Sequence, residues 1–393
     1  MELPDCARKA GLQKGVKKMT DRDYMMRAIE LAKGGLGWTS PNPLVGAVIV
    51  KDGRIIGEGY HERCGKLHAE RNAIASLTES AEGATLYVTL EPCCHYGKTP
   101  PCTEAILEQK IARVVIGSRD PNPLVAGKGA AILRAAGVRV EEDFMREECD
   151  ALNPVFFHYI TKKTPYVVMK YAMTADGKIA ARTGDSKWIT GESARKKVQE
   201  LRHQYMGIMA GIGTVIADDP MLNVRVEGWK SPIRILWDSG LRIPLDGQIV
   251  KSAGKYRTIV AYADSENTEA KRKRLHEMGV ETICCPDENN QVDLKKLMKY
   301  LGEEGIDSIL LEGGGTLNDS ALRAGIVQEV QAFIAPKLFG GMNSKTPVEG
   351  IGVRFPSEAV KLKCTDICQI GEDIRITCQV CGKEQEESCL QES

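Results

Sequence analysis

Apolar positions along this chain recur with two periods, and the chain switches between them many times. From Asp21 to Lys33, the residues Met25, Ala28, Ile29 and Ala32 fall on one helical stripe. The runs Leu44–Val50 and Ile55–Tyr60 predict strands joined by a Lys51-Asp52-Gly53 turn. Further on, helices are expected at Ala69–Leu77, Thr103–Gln109 and Lys128–Ala136, and strands at Thr85–Leu90 and Val114–Gly117. A polar stretch, Thr161-Lys162-Lys163-Thr164-Pro165, breaks the pattern. Beyond it, strands are expected at Val167–Ala172, Ile208–Ala210, Ile233–Asp238, Thr258–Tyr262, Ser308–Leu311 and Val330–Ala335. Helices are expected at Glu192–His203, Glu269–Glu277, Leu294–Tyr300 and Asn318–Ala324. Both halves are therefore α/β layered domains. The expected division is an extension over 1–19, a first domain over 20–164, a second over 165–371, and a strand end with a polar tail over 372–393.

Composition narrows the function classes. The chain has 393 residues, 42% hydrophobic and 27% charged, the balance of an ordinary globular protein. Its 53 basic and 53 acidic residues cancel, which argues against a nucleic-acid partner. No apolar run approaches the ~20 residues of a membrane span. The first residues lack a secretory signal, so the cytoplasm is the expected compartment. Thirteen cysteines in such a chain are expected as thiols or metal ligands rather than disulfides.

Two segments carry metal chemistry. One is His68-Ala69-Glu70 and the other runs from Glu91-Pro92-Cys93-Cys94-His95 to Pro101-Cys102. One imidazole and two thiolates can hold zinc and leave a fourth position for water, the arrangement of a catalytic site. Glu70, two residues from a ligand, is placed to shuttle the proton. The zinc-deaminase signature is His-x-Glu with Pro-Cys-x-x-Cys. Here eight residues separate Cys93 from Cys102, which leaves Cys94 as a rival ligand and a closed four-ligand site using Cys94 or His95 as a second reading. A His-x-Glu pair alone occurs in many helices by chance; the weight rests on the segments taken together.

With Asn42-Pro43-Leu44-Val45-Gly46-Ala47 and Gly59-Tyr60-His61, these segments resemble the bifunctional riboflavin-biosynthesis deaminase–reductase family. The resemblance runs from Met19 to about Gly371, and the nine-residue step from Cys93 to Cys102 is that family's own. It implies a cytidine-deaminase-like first domain followed by a dihydrofolate-reductase-like domain. The first would hydrolyse the 2-amino group of 2,5-diamino-6-(5-phosphoribosylamino)pyrimidin-4-one, with His68, Cys93 and Cys102 on zinc and Glu70 as proton carrier. Asn42, His61, His95 and Lys98 match substrate-binding positions.

The second half carries Lys170 to Lys178, Ser186-Lys187-Trp188-Ile189-Thr190, Gly213 to Pro220 and Glu312-Gly313-Gly314-Gly315-Thr316-Leu317, which resemble the reductase half of the same family. Its implied reaction is reduction of the ribosyl group to ribityl by NADPH. Lys170, Ser186, Arg202, Leu222, Arg225, Ser239 and Glu312 match substrate positions. Ala172, Trp188, Thr214, Asp218, Gly314, Gly315 and Thr316 match cofactor positions. Independently of the resemblance, glycines between a strand and a helix let backbone N–H groups approach a phosphate, though such a turn is more often only a turn. The proton donor stays open among Lys170, Asp176 and Asp218. Cys378-Gln379-Val380-Cys381, with no second pair, is read as incidental. A homo-oligomer is expected by default. The rival reading is a nucleoside or tRNA deaminase fused to a non-catalytic nucleotide-binding domain.

Overall fold

The computed structural model describes residues 19–96, 100–122, 125–263 and 268–382. It divides into two compact units. The first comprises the described part of Met1–Gly34 with Val45–His61 and Leu67–Leu152. The second comprises Gly35–Leu44, Glu62–Lys66 and the chain from Asn153.

The first unit contains α1 (Asp21–Ala32), β1 (Gly46–Lys51), β2 (Arg54–Tyr60), α2 (Ala69–Ala75), β3 (Thr85–Leu90), α3 (Cys102–Glu108), β4 (Arg113–Ser118), α4 (Lys128–Ala135), β5 (Arg139–Glu141) and α5 (Arg146–Asp150). Thr20 starts α1 with a reciprocal capping box to Asp23. The sheet order is β2-β1-β3-β4-β5, antiparallel at β2-β1-β3 and parallel from β3 to β5. Because side chains alternate across a strand, Ala47, Ile49, Leu86 and Val88 enter one core while Val48, Tyr87 and Val115 enter the core on the opposite face. The first of these cores also holds Ala69, Ala73, Ile106 and Leu133, from α2, α3 and α4; the second holds Met25, Ala28 and Ile29 of α1.

The second unit contains α6 (Pro154–Lys162), β6 (Tyr166–Thr174), α7 (Glu192–Gln204), β7 (Gly207–Gly211), α8 (Ile212–Asp218), β8 (Ile233–Trp237), α9 (Gln248–Lys251), β9 (Thr258–Tyr262), α10 (Glu269–Glu277), β10 (Glu281–Cys284), α11 (Leu294–Glu303), β11 (Ser308–Leu311), α12 (Gly315–Arg323), β12 (Glu329–Ala335), β13 (Leu362–Ile370) and β14 (Asp373–Val380). The nine strands run β10-β9-β8-β7-β11-β6-β12-β14-β13, parallel from β10 to β12 and antiparallel at β14 and β13. Both faces of the parallel part are buried: Met209, Ile235, Ile309 and Leu311 pack with α11 and α12, while Ile208, Ala210, Leu236 and Val260 pack with α8, α9 and α10.

Several elements differ from the periodicity reading. The helix expected at Asn318–Ala324 begins at Gly315, because Gly314 serves as its N-cap. The short or irregular α5, α6, α8, α9, β5 and β10 carry too little periodic signal to stand out, and the β13–β14 hairpin is largely exposed, so its polar and apolar residues do not sort by face. Arg234 is fully buried on β8 and donates to Thr258 Oγ1, Ser252 Oγ and the carbonyls of Met221, Ile249 and Tyr256. Nothing in the pattern singles out this arginine, because a cation in a strand otherwise reads as surface.

α2 lies close on β2. A Cβ at Gly59 would run into the backbone nitrogen of Ala73 and the carbonyl oxygen of Ala69, and one at Gly57 into the carbonyl oxygen of Ala73. Gly59→Ala is therefore expected to push α2 off the sheet, at a cost of roughly 1–3 kcal/mol. Urea unfolding of the variant measures the cost, and a fall in zinc bound per chain would report the accompanying movement of the α2 N-terminus.

Candidate functional site

Three side chains meet at the carboxyl end of β3 in the first unit. His68 is the N-cap of α2, Cys102 is the first residue of α3, and Cys93 lies in the loop that leaves β3. The loop is tied to α3 by the N–H groups of Cys102 and Thr103, which both donate to the Cys93 carbonyl at 3.1 and 3.2 Å. Arg71 on α2 donates to the carbonyls of Pro100 and Pro101, just before α3. His68 Nδ1 lies 3.4 Å from both Cys93 Sγ and Cys102 Sγ, and the three donor atoms all fall within 4.8 Å of one another. Ligands about 2.0–2.3 Å from a shared tetrahedral centre are roughly 3.4–3.8 Å apart, so this donor set fits a zinc ion. It is the one such cluster among the described residues. Cys94 and His95 lie outside it, Cys94 partly buried and His95 exposed.

The cluster's electrostatics follow from packing. The Cys102 thiol and backbone N–H, with the His68 ring, pull the Cys93 thiol down to about 4 against the cost of burial. Beside that thiolate, buried and close to Glu70, Cys102 is pushed far up. The two sulfurs thus share one proton, and a dication between them would draw out both. Glu70 is 3% exposed. Burial first, and then the Cys93 thiolate, push its carboxyl up to about 7. His61 is buried, donates from Nδ1 to the Leu67 carbonyl at 2.9 Å, and sets its ring edge-on to that of His68 with centroids 5.5 Å apart.

Asn42 falls in Gly35–Leu44, a segment of the second unit, where its N–H bonds the Thr39 carbonyl. Lys98 lies outside the described residues. Sequence reasoning missed two carboxylates. Glu91, 4% exposed, accepts from the N–H groups of Gly127 and Ala130 and so caps α4. Asp120, 9% exposed, is raised to about 6, chiefly by burial, with Glu91 and Cys93 adding to the rise. Its position ahead of a proline, in Asp120-Pro121-Asn122, was the available signal, since an Asx turn there uses its side chain: Oδ1 accepts from the Asn122 N–H at 2.8 Å.

In the second unit a group of charges sits at the carboxyl end of β11, level with the middle of β6. Arg202 of α7 makes a two-pronged bond to Glu312, Nε to Oε1 at 2.7 Å and Nη2 to Oε2 at 3.0 Å, and Nη1 donates to the Asn223 carbonyl. Lys170 Nζ lies 3.5 Å from Glu312 Oε2, and all three side chains are 11–12% exposed. Burial alone would raise Glu312, but Arg202 and then Lys170 outweigh it and hold the carboxyl at about 2. Glu312 is therefore held as a carboxylate against its burial.

The remaining expected residues spread around this edge. β7 and β11 are parallel neighbours, and each runs into a helix capped by glycine: Gly211 at α8 and Gly314 at α12, neither with a side-chain cap. A Cβ at Gly213 would meet nothing, and one at Gly314 would meet only Thr214 Oγ1, 3.7 Å away, so the two helix starts adjoin around open space. Free backbone N–H groups beside open space fit a dinucleotide phosphate. Gly315 instead packs against Glu349 and Thr346. Ala172 lies on β6, Thr316 near the start of α12, and Asp218 is the exposed last residue of α8. Trp188 is 59% exposed under the Arg195 guanidinium, near the partly buried Ser186, and Lys337 Nζ bonds the carbonyls of Trp188 and Ile189. Ser239 Oγ accepts from the Val292 N–H. Leu222 is a buried core residue with φ of 46°, and Arg225 is exposed with its N–H on Gln199. Asp176 accepts from Thr174 Oγ1 and from the N–H groups of Phe339 and Gly340, which hold it at about 2 and make it a loop anchor.

Residues 18–118 match the cytidine and deoxycytidylate deaminase zinc-binding region, and residues 165–376 match the RibD C-terminal domain. The riboflavin biosynthesis protein RibD of Actinobacillus pleuropneumoniae is 59% identical over 91% of this chain and 95% of its own length, and that of Escherichia coli is 40% identical over 91% and 98%. Among solved structures, RibD of Acinetobacter baumannii aligns with a TM-score of 0.82 at 38% identity, covering 91% of this chain and 98% of that one. A Thermotoga maritima diaminohydroxyphosphoribosylaminopyrimidine deaminase/5-amino-6-(5-phosphoribosylamino)uracil reductase aligns at 0.81 and 40%, with the same coverage. The two sheets are thus the deaminase-like and dihydrofolate-reductase-like folds that the motifs implied. With a zinc-deaminase region and a RibD reductase domain in one chain, this protein belongs to the RibD family of bifunctional riboflavin-biosynthesis enzymes, which pair a zinc-dependent deaminase with an NADPH-dependent reductase.

Proposed function

We propose that the first domain, over 20–164, deaminates 2,5-diamino-6-(5-phosphoribosylamino)pyrimidin-4-one and that the second, which starts at 165 and takes in β14 (Asp373–Val380), then reduces the ribosyl group of the product. The observation that carries the first half is the cluster of His68 Nδ1, Cys93 Sγ and Cys102 Sγ beside the buried Glu70. His68, Cys93 and Cys102 hold zinc, which lowers the pKa of a water to about 7. Glu70 takes the proton from the attacking water and delivers it to the amino nitrogen, so that ammonia leaves and a carbonyl remains at C2. A carboxyl poised near neutrality can do both. By the family resemblance Asn42, His61, His95 and Lys98 contact the substrate; the His61 ring is held by its Nδ1 bond to the Leu67 carbonyl.

In the second half NADPH supplies the hydride that reduces C1′. Gly314, Gly315, Thr316, Thr214, Asp218, Ala172 and Trp188 hold the cofactor. Ser186, Leu222, Arg225 and Ser239 bind the substrate together with Lys170, Arg202 and Glu312. Glu312 holds Arg202 and Lys170 in place, the guanidinium for the sugar phosphate and the amine for the reacting end. Of the three candidate proton donors, Asp176 is committed to the Phe339–Gly340 loop and Asp218 is the exposed last residue of α8, which leaves Lys170. The enzyme acts in the cytoplasm as a homo-oligomer on a small phosphoribosyl pyrimidine. In keeping with this, no helix among the described residues is long and apolar enough to cross a membrane.

Three outcomes test this reading. Glu70→Gln is expected to keep its zinc and to lose roughly 10²–10⁴-fold in kcat for ammonia release, while NADPH oxidation with supplied deaminated substrate is unchanged; loss of zinc, or an unaffected kcat, would remove Glu70 from its role. Stripping zinc with a chelator should abolish ammonia release and spare NADPH oxidation, and should fail to do so if the three ligands serve another purpose. Glu312→Gln should leave Arg202 and Lys170 buried without their counter-charge, with a fall on the order of 10²-fold in reductase kcat/KM and no change in ammonia release.

A further inference from the structure

Two cysteines outside both sites face each other across the outer hairpin. β13 is the last strand of the nine-stranded sheet and, among the described residues, pairs with β14 alone. In that antiparallel ladder Cys364 stands directly opposite Cys378. Residues so opposed share one face of a sheet, with Cα atoms about 4.5 or 5.5 Å apart according to whether the pair is hydrogen-bonded. Both values lie within the ~4.4–6.8 Å that a disulfide spans. Cys364 is exposed and Cys378 partly buried, and neither is bonded to a third cysteine. The Cys378 thiol is pushed up by burial and then by the adjoining Cys364, whose own thiol donates to the Asp366 carbonyl at 3.8 Å.

The neighbouring cysteines are placed differently. Cys381, three residues on, lies beyond the end of β14 with its N–H on the Lys361 carbonyl. Cys368 stands opposite Arg375, which is three residues from Cys378 along β14; an odd separation puts it on the other face of the hairpin. The Cys-x-x-Cys spacing of the sequence therefore does not mark the pair; register does.

We propose that Cys364 and Cys378 are a modification site that a peroxide converts to an intrachain disulfide and that a low-molecular-weight thiol reverses. The exposed Cys364 sulfur, as thiolate, attacks a peroxide oxygen; the O–O bond breaks and leaves Cys364 as a sulfenic acid with one water formed from hydrogen peroxide. The Cys378 thiolate then attacks that sulfur, the S–O bond breaks, and hydroxide leaves to take up a proton as a second water. Two thiols have lost two electrons to one peroxide. The bond joins an edge strand, held along one side only, to the strand whose opposite end anchors α7, since Asp373 Oδ2 accepts the Gly191 N–H at 2.8 Å.

The test is peptide mapping of the full-length zinc-loaded protein after graded hydrogen peroxide, alkylation of the remaining thiols and digestion without reductant. The exposed Cys284 serves as an internal reference for peroxide access. The expected result is a linked peptide pair containing Cys364 and Cys378 that disappears on reduction, persists in Cys381→Ser, and is absent from Cys364→Ser and from Cys378→Ser. Mixing isotopically light and heavy protein before oxidation separates links within a chain from links between chains. A Cys378–Cys381 link, a link between chains, or full alkylation of Cys364 and Cys378 once Cys284 is oxidised would each overturn the proposal.

Discussion

The deaminase site depends on how closely α2 lies against β2. Gly57 and Gly59 face the backbone of that helix where any side chain would collide with it. The helix start, and with it His68, is thereby set at a fixed depth. One turn of helix also decides the division of labour: the N-cap residue presents its ring to Cys93 and Cys102, while Glu70 two residues later points into the protein. The cysteines come from the loop after β3 and the start of α3, and backbone bonds from Cys102 and Thr103 to Cys93 hold these together. Three elements thus supply one donor atom each, which keeps the donor set from depending on any single loop.

The reductase unit solves a different problem, that of keeping three charges nearly out of water. Isolated, each of Lys170, Arg202 and Glu312 would resist burial. Together they satisfy one another, with Arg202 spanning both carboxylate oxygens and Lys170 sharing one of them. Such a cluster contributes geometry more than stability, because desolvation offsets much of the attraction. The cluster fixes the Arg202 and Lys170 side chains at the end of β11, in the same unit as the glycine-capped starts of α8 and α12. Arg234, by contrast, is buried with hydroxyls and carbonyls around it and no carboxylate among its bonds, and organises the amino ends of β8 and β9 away from the chemistry.

Much of the parallel framework was legible from periodicity, since strands such as Thr85–Leu90, Thr258–Tyr262 and Ser308–Leu311 are short runs dominated by apolar and β-branched residues. Elements governed by tertiary contact were not. α8 begins at a glycine cap and has few periodic residues, and β13 and β14 pair at an exposed edge where burial does not sort the side chains. At the sites the contrast is similar. Chemical type and order were enough to nominate His68, Glu70, Cys93 and Cys102, whereas Asp120 and Glu91 are acids whose setting is created by packing. Leu222, nominated through resemblance, lies in the core.

By itself the sequence determined which atoms are available and roughly where: soft ligands in order around a proline turn, a carboxylate two residues from a histidine, and glycines between strand and helix. Those are properties of local chemistry and of the short-range periods that a backbone imposes. Tertiary structure alone decided which of the neighbouring candidates converge. Cys93 rather than Cys94 joins His68 and Cys102, and Cys378 faces Cys364 rather than Cys381. Adjacent residues on an extended chain point in opposite directions, and partners distant in sequence meet only when strand register and helix placement are set.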